Sequence, residues 1–113
     1  MLNIKATVRF TRKIDANKRV AEIVDGEMPA LGLMFEARAK ERTPVITGNL
    51  KSKMVGRRSG YLTAELVNNA EYAEFVEFGT SRMEPRGMIR NAAEVMKKDG
   101  QDHLEEKLKP ENL

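Results

Sequence analysis

The chain has no cysteine in its 113 residues, which excludes disulfides, thiolate metal sites and cysteine nucleophiles and fits a reducing compartment. Tryptophan is also absent, and aromatic residues make up only 5%. A core built from this chain therefore leans on Leu, Ile, Val, Met and Ala. The seven methionines read mostly as gap fillers, though adaptable contact surfaces also favour them. The single histidine, His103, has neither a cysteine nor a second histidine with which to share a metal, and no metal or other cofactor is expected. No apolar run approaches the roughly 20 residues of a membrane-spanning helix. The opening MLNIKATVRF alternates instead of presenting the apolar block of a signal peptide. A soluble, intracellular origin is the expectation.

What is present is charge, at 33% of residues beside 41% hydrophobic ones, a balance that suits a folded chain. The length suits a single domain over residues 1–113. Net charge is only +3, but the charges run in blocks. Residues 38–58 carry Arg38, Lys40, Arg42, Lys51, Lys53, Arg57 and Arg58 against Glu41 alone. Residues 59–84 carry Glu65, Glu71, Glu74, Glu77 and Glu84 against Arg82 alone. Blocks of opposite sign suit electrostatic matching, within one chain or between copies. A solvated surface is the more ordinary reading of any one block.

Leu2, Ile4, Ala6, Val8 and Phe10 alternate with polar residues, the period of a half-buried strand. A helix follows from Asp15, which can cap it, with Val20, Ile23 and Val24 on one stripe. The helical pattern resumes with Leu31, Met34, Phe35 and Ala39. Gly26 and Pro29 predict a kink or short break over 25–29, with Pro29 in the first turn of the second segment. Pro44 ends that segment at Thr43. After a turn-rich connection, residues 53–58 and 61–69 predict a hairpin around Ser59-Gly60, in which Leu62, Ala64 and Leu66 alternate with Thr63, Glu65 and Val67. Over 71–78, helical spacing groups Tyr72, Phe75, Val76 and Gly79, with Glu71, Glu74 and Glu77 on or near the opposite side. A short helical turn running into an extended exit fits this better than a strand. From Pro85 a long helix is expected, with Met88, Ile89, Ala92, Val95, Met96, His103, Leu104 and Leu108 on its stripe. Gly100 weakens its middle and Pro110 stops it. The expected fold class is α+β: a small antiparallel sheet of three to four strands, including an N-terminal strand and a central hairpin, packed against a long N-terminal helix and a C-terminal helix.

Catalysis finds little support. His103 lies among charged residues with no nucleophile in view. Glu71, Glu74 and Glu77 at three-residue spacing are what an exposed acidic helix face gives. Gly79-Thr80-Ser81-Arg82 lacks the G-x-x-x-x-G-K-(S/T) frame of a phosphate loop. Nucleic acid is a stronger alternative: Lys51, Lys53, Arg57 and Arg58 lie in or beside the hairpin, and basic ribbons bind phosphates. Neither a recognition helix nor an aromatic stacking platform accompanies them, so sequence-specific readout is not expected. A small basic nucleic-acid-binding module remains the alternative reading.

Three motifs then occur in order. RTPVITGNLKSKM matches an A-P-x-x-T-G-x-L-(R/K)-x-S-(I/M) pattern after a long helix, through Pro44, Thr47, Gly48 and Leu50. AEYAEFVEFGTSRM matches Y-A-x-(F/Y)-V-E-(F/Y)-G-T-x-x-M, through Tyr72, Ala73, Val76, Glu77, Gly79 and Thr80, with Arg82 in the turn. PRGMIRNAAE, with Arg86, is similar to A-R-P-F-L-R-P-A opening a terminal helix. The ordered set, over about residues 30–109, resembles the head–tail joining or tail-completion proteins of long-tailed bacteriophages and prophages. Thr43 departs from a common alanine, Gly87 and Asn91 from prolines, and Met88 from an aromatic, which bears on where the last helix starts.

The resemblance implies a non-enzymatic virion protein, made in the bacterial cytoplasm. It would sit in a homo-oligomeric ring at the neck, between connector and tail-tube or tail-terminator proteins, around the DNA passage. Such proteins can stay monomeric until a partner orders their loops. A head-to-tail ring needs two different complementary patches per subunit. The expected pair is the basic segment with Lys51, Lys53, Arg57 and Arg58 against the acidic face of Glu71, Glu74 and Glu77. The same four basic residues are the expected non-specific contacts with DNA. Gly48 and Gly79 are assigned to backbone geometry, and Tyr72, Phe75, Val76 and Phe78 to the core. Glu77 is expected to bond the Gly79–Ser81 turn or to pair with Arg82 or Arg86.

Overall fold

The alternating N-terminal residues form strand β1 (Ile4–Arg9). The computed structural model describes residues 4–10, 18–43, 49–70, 73–82, 84–85 and 87–109, leaving aside the side chains of Asn49, Leu50 and Glu74. Helices α1 (Lys18–Gly26) and α2 (Met28–Glu41) follow, parted at Glu27. The break falls where Gly26 and Pro29 place it, since Pro29 opens α2 at a position where its missing N–H is not needed. The long N-terminal helix is therefore two segments of 9 and 14 residues, and a strand precedes both.

A single turn of helix, α3 (Asn49–Ser52), leads into strands β2 (Met54–Gly60) and β3 (Thr63–Asn68). The three strands make an antiparallel sheet in the order β1-β3-β2, so the second hairpin strand lies in the middle. The hairpin is as expected but its turn is not. The register shifts between Arg58 and Gly60, and the chain reverses at Tyr61 and Leu62, with Leu62 at φ 54°. That left-handed conformation costs a non-glycine residue about 1–2 kcal/mol. Distant groups hold it: the Leu62 N–H donates to Asp25 Oδ1 (2.8 Å), and its carbonyl accepts from the Phe10 N–H (2.8 Å).

Side chains alternate across the sheet. Ile4, Ala6 and Val8, Ala64, Leu66 and Asn68, and Met54 and Gly56 share the inner face in register. On that face α2 crosses β2 and β3, while the last helix, α5 (Met88–Lys107), packs on β1 and α2. The core joins Val24, Met28, Leu31, Phe35, Leu66, Val76, Met88, Met96 and Leu104, as the scarcity of aromatics requires. The closest approach is backbone to backbone. A Cβ on Gly32 would lie 2.5 Å from the Arg57 nitrogen, and one on Gly56 would overlap the Gly32 carbonyl oxygen. One turn along α2, Glu36 Oε1 accepts the Gly56 N–H (2.9 Å), satisfying an edge-strand donor that would otherwise invite pairing. Arg38 to Asp99 (3.0 Å) ties α2 to α5, and His103 meets Glu27 (2.8 Å) at the junction of α1 and α2. Gly100 is buried where the Phe10 ring leaves no room for a side chain.

Candidate assembly surface

After β3 the buried Asn68 turns the chain, its Oδ1 accepting the Ala70 N–H (2.8 Å). The expected short helix follows as α4 (Ala73–Phe78), but its phase differs from the expected one. The buried positions are Ala73, Val76 and Glu77, whereas Phe75 and Phe78 are 49% and 66% exposed. Val76 is core as read from the sequence; the two phenylalanines are not.

Glu77 explains the phase. Its Oε1 accepts the Ile89 N–H (2.8 Å) and its Oε2 the Arg90 N–H (2.9 Å). Its main-chain carbonyl accepts the Gly87 N–H (3.1 Å). These are donors of the first turn of α5, which have no partner within their own helix. The residue at the N-cap, Gly87 at φ 58°, has no side chain with which to serve them. A carboxylate from α4 does so instead and also meets the positive end of the helix dipole. Neither the Gly79–Ser81 turn nor Arg82 is the partner of Glu77. The same geometry starts α5 at Met88, three residues after the expected Pro85. In the intervening turn Gly79 has φ 79°, Thr80 Oγ1 accepts the Arg82 N–H (3.2 Å), and Arg82 is exposed. Two departures from the phage pattern meet here as well. The Thr43 hydroxyl donates to Ala39 O (2.7 Å) and touches Met88 Sδ (3.6 Å).

The basic block is largely neutralised within the chain. Arg38 pairs with Asp99 and Glu41, Lys40 with Glu36, and Arg42 with Glu41. Arg57 and Arg58, adjacent on β2, point to opposite faces of the sheet. Arg57 Nε reaches Glu65 (2.7 Å) on the outer face, and Arg58 makes two 3.1 Å bonds to Asp25 on the other side. Burial raises the Asp25 carboxyl, but the Leu62 N–H, the Arg58 bonds and the Arg58 charge together hold it below its ordinary value. Glu36 is lowered in the same way, burial being outweighed by the Gly56 N–H and Lys40. Among the described residues, Lys51 and Lys53 have no carboxylate partner. Pro44, Thr47, Gly48, Glu71, Tyr72 and Arg86 lie outside the described residues, as do the side chains of Leu50 and Glu74.

Among the described residues no group of His, Asp and Glu is arranged to hold a metal ion, and no helix is long and apolar enough to cross a membrane. Every buried side-chain polar atom described has a hydrogen-bond partner. The described polar groups of the interior thus serve the fold, which leaves the exposed rings of Phe75 and Phe78 and, among the described residues, Lys51 and Lys53 without a carboxylate partner. The fold is that of a small α+β protein with a three-stranded antiparallel sheet. Residues 8–79, nearly two-thirds of the chain, match the family described as "Bacteriophage HK97-gp10, putative tail-component". The chain belongs to this family and is a structural phage protein. No curated protein and no solved structure matches it significantly. The family match begins within β1 and ends at Gly79, so it includes Glu77 but not the helix that Glu77 caps.

Proposed function

We propose that this protein forms or completes the neck ring that joins the DNA-filled head to the tail and surrounds the DNA passage. In this reading it packs against copies of itself and against connector and tail-tube or tail-terminator proteins, and it has no enzymatic activity. Membership of a tail-component family supports the setting. The observation that carries the finer role is α4, whose Phe75 and Phe78 stand exposed on an element locked by Glu77. Aromatic side chains on a fixed element are what a well-packed contact uses as anchors.

A ring requires a second, different patch on each subunit. The hairpin offers one at its turn, where Tyr61 is exposed, with Lys53 exposed just before β2. Lys51 and Lys53 would meet the acidic residues Glu71 and Glu74 of the next copy, with Glu77 removed from that face. Paired replacement of Phe75 and Phe78 by Ser should leave the melting temperature close to wild type. It should also give separate filled heads and finished tails under negative stain. Normally joined particles from this variant, or from phage lacking the protein altogether, would end the reading.

A further inference from the structure

The outer face of the sheet bears a set of charges that the fold does not consume. In register, Lys5, Thr7 and Arg9 of β1 flank Val67, Glu65 and Thr63 of β3, and Val55 and Arg57 of β2 flank them from the other side. Neither α2 nor α5 lies on this face, because both pack on the opposite one. Lys5, Thr7, Arg9 and Arg57 are exposed, and among the described residues Lys5 and Arg9 have no carboxylate partner. Glu65, at the centre, is only 7% exposed and accepts one bond, from Arg57 Nε (2.7 Å). That bond fixes the guanidinium while its two terminal nitrogens, on a side chain 60% exposed, have no acceptor among the described residues.

We propose that this face contacts the phosphate backbone of double-stranded DNA. Lys5 and Arg9 are four residues apart on β1, about 13 Å, and Arg57 lies two strand spacings away, about 10 Å. Three separated cations on one face of the sheet suit successive phosphates of a duplex. A guanidinium held at its Nε presents the fork that phosphate oxygens accept. Thr7 adds an exposed hydroxyl between the cations, whereas that of Thr63 donates to the Tyr61 carbonyl (2.8 Å). Nothing on the face reads base edges, so the contact is independent of sequence, as a duplex that must slide past requires. A second copy of the chain fits less well, because most described carboxylates already bond within their own chain.

The inference rests on the neck reading only for where in the particle the DNA lies, and its test does not need the particle. Anisotropy of a short labelled duplex, titrated with the isolated protein from about 20 to about 200 mM salt, should show weak binding. The slope of log Kobs against log salt should be near −2.7, the value for three phosphates. Lys5→Gln, Arg9→Gln and Arg57→Gln should each reduce the slope by about 1. Arg57→Lys should retain the slope with lower affinity, and Lys97→Gln with Lys98→Gln on α5 should change neither. Salt-independent binding, or slopes untouched by the three sheet-face variants, would overturn the assignment. So would poly-glutamate competing as well as duplex at equal charge, which would make an acidic protein the partner. Normal joining in phage lacking the protein, with the DNA affinity of the isolated chain and its three-cation slope intact, would count against the neck reading alone.

Discussion

Replacing Glu77 with glutamine removes one charge and almost no volume, so it isolates what the carboxylate does for α5. Both of its oxygens now accept main-chain N–H groups, from Ile89 (2.8 Å) and Arg90 (2.9 Å), at a site 2% exposed. The amide of glutamine has one acceptor oxygen. Its NH2 would face the second N–H, leaving a buried donor without a partner at a cost of about 1–3 kcal/mol. Loss of the charge at the helix N-terminus adds about 0.3–1 kcal/mol. A combined loss of about 2–3 kcal/mol is a large share of the 5–15 kcal/mol typical of a domain. At roughly 4 °C per kcal/mol for a chain of this size, the melting temperature should fall by about 8–12 °C. Thermal melts followed by circular dichroism measure the fall. Hydrogen exchange should place the loss at the amides of Ile89 and Arg90. A fall below about 2 °C, or unchanged protection of both amides, would show that the first turn of α5 does not depend on Glu77.

Gly56→Ala should destabilise by about 3 kcal/mol or more, since its Cβ would overlap the Gly32 carbonyl and must push α2 off β2; a urea midpoint equal to wild type would refute that packing. Asp25 has a carboxyl held below its ordinary value of 3.8. The stability it contributes is therefore present at neutral pH and disappears as pH falls below about 4 and through the lowered folded value. Urea midpoints of wild type and Asp25→Asn should differ near pH 7 and converge as pH falls through the lowered folded value, and a gap that persists in acid would remove Asp25 as the anchor of the hairpin tip.

Elements whose cause is local were legible from the residues alone. Alternation gave β1, Gly26 with Pro29 placed the helix break, and the two alternating runs gave the hairpin. What escaped depends on groups far along the chain. The turn at Leu62 needs Asp25, 37 positions earlier, and no local turn preference points to a leucine in a left-handed conformation. The start of α5 depends on Glu77, 12 positions before Ile89, and the glycine at its N-cap was the only local sign that a cap had to come from elsewhere. Charge blocks were visible, but their neutralisation was not. Arg38 finds Asp99 across 61 positions and Arg58 finds Asp25 across 33, so a basic run in sequence became two opposed faces in space. Lys51 and Lys53 have no carboxylate partner among the described residues, while Arg57 is exposed and has a buried partner.

The exposure of Phe75 and Phe78 follows from a competition whose terms can be compared. Helical spacing alone would turn Phe75 inward and Glu77 outward, and full burial of one phenylalanine favours that arrangement by about 1.5–3 kcal/mol. The observed phase gives up this term and gains two shielded hydrogen bonds to a charged acceptor, together worth about 3–6 kcal/mol, less what desolvating a carboxylate costs. The two sides are of similar size, and the balance falls to this rotation because α5 begins with donors for which Glu77 is the acceptor found among the described residues. The isolated chain therefore leaves part of the hydrophobic stabilisation of α4 unrealised. A partner that covers both rings recovers that term without undoing the cap, and α4 need not rotate to receive it. The proposed assembly through this face should for that reason depend steeply on the two phenylalanines, while the fold depends on Glu77.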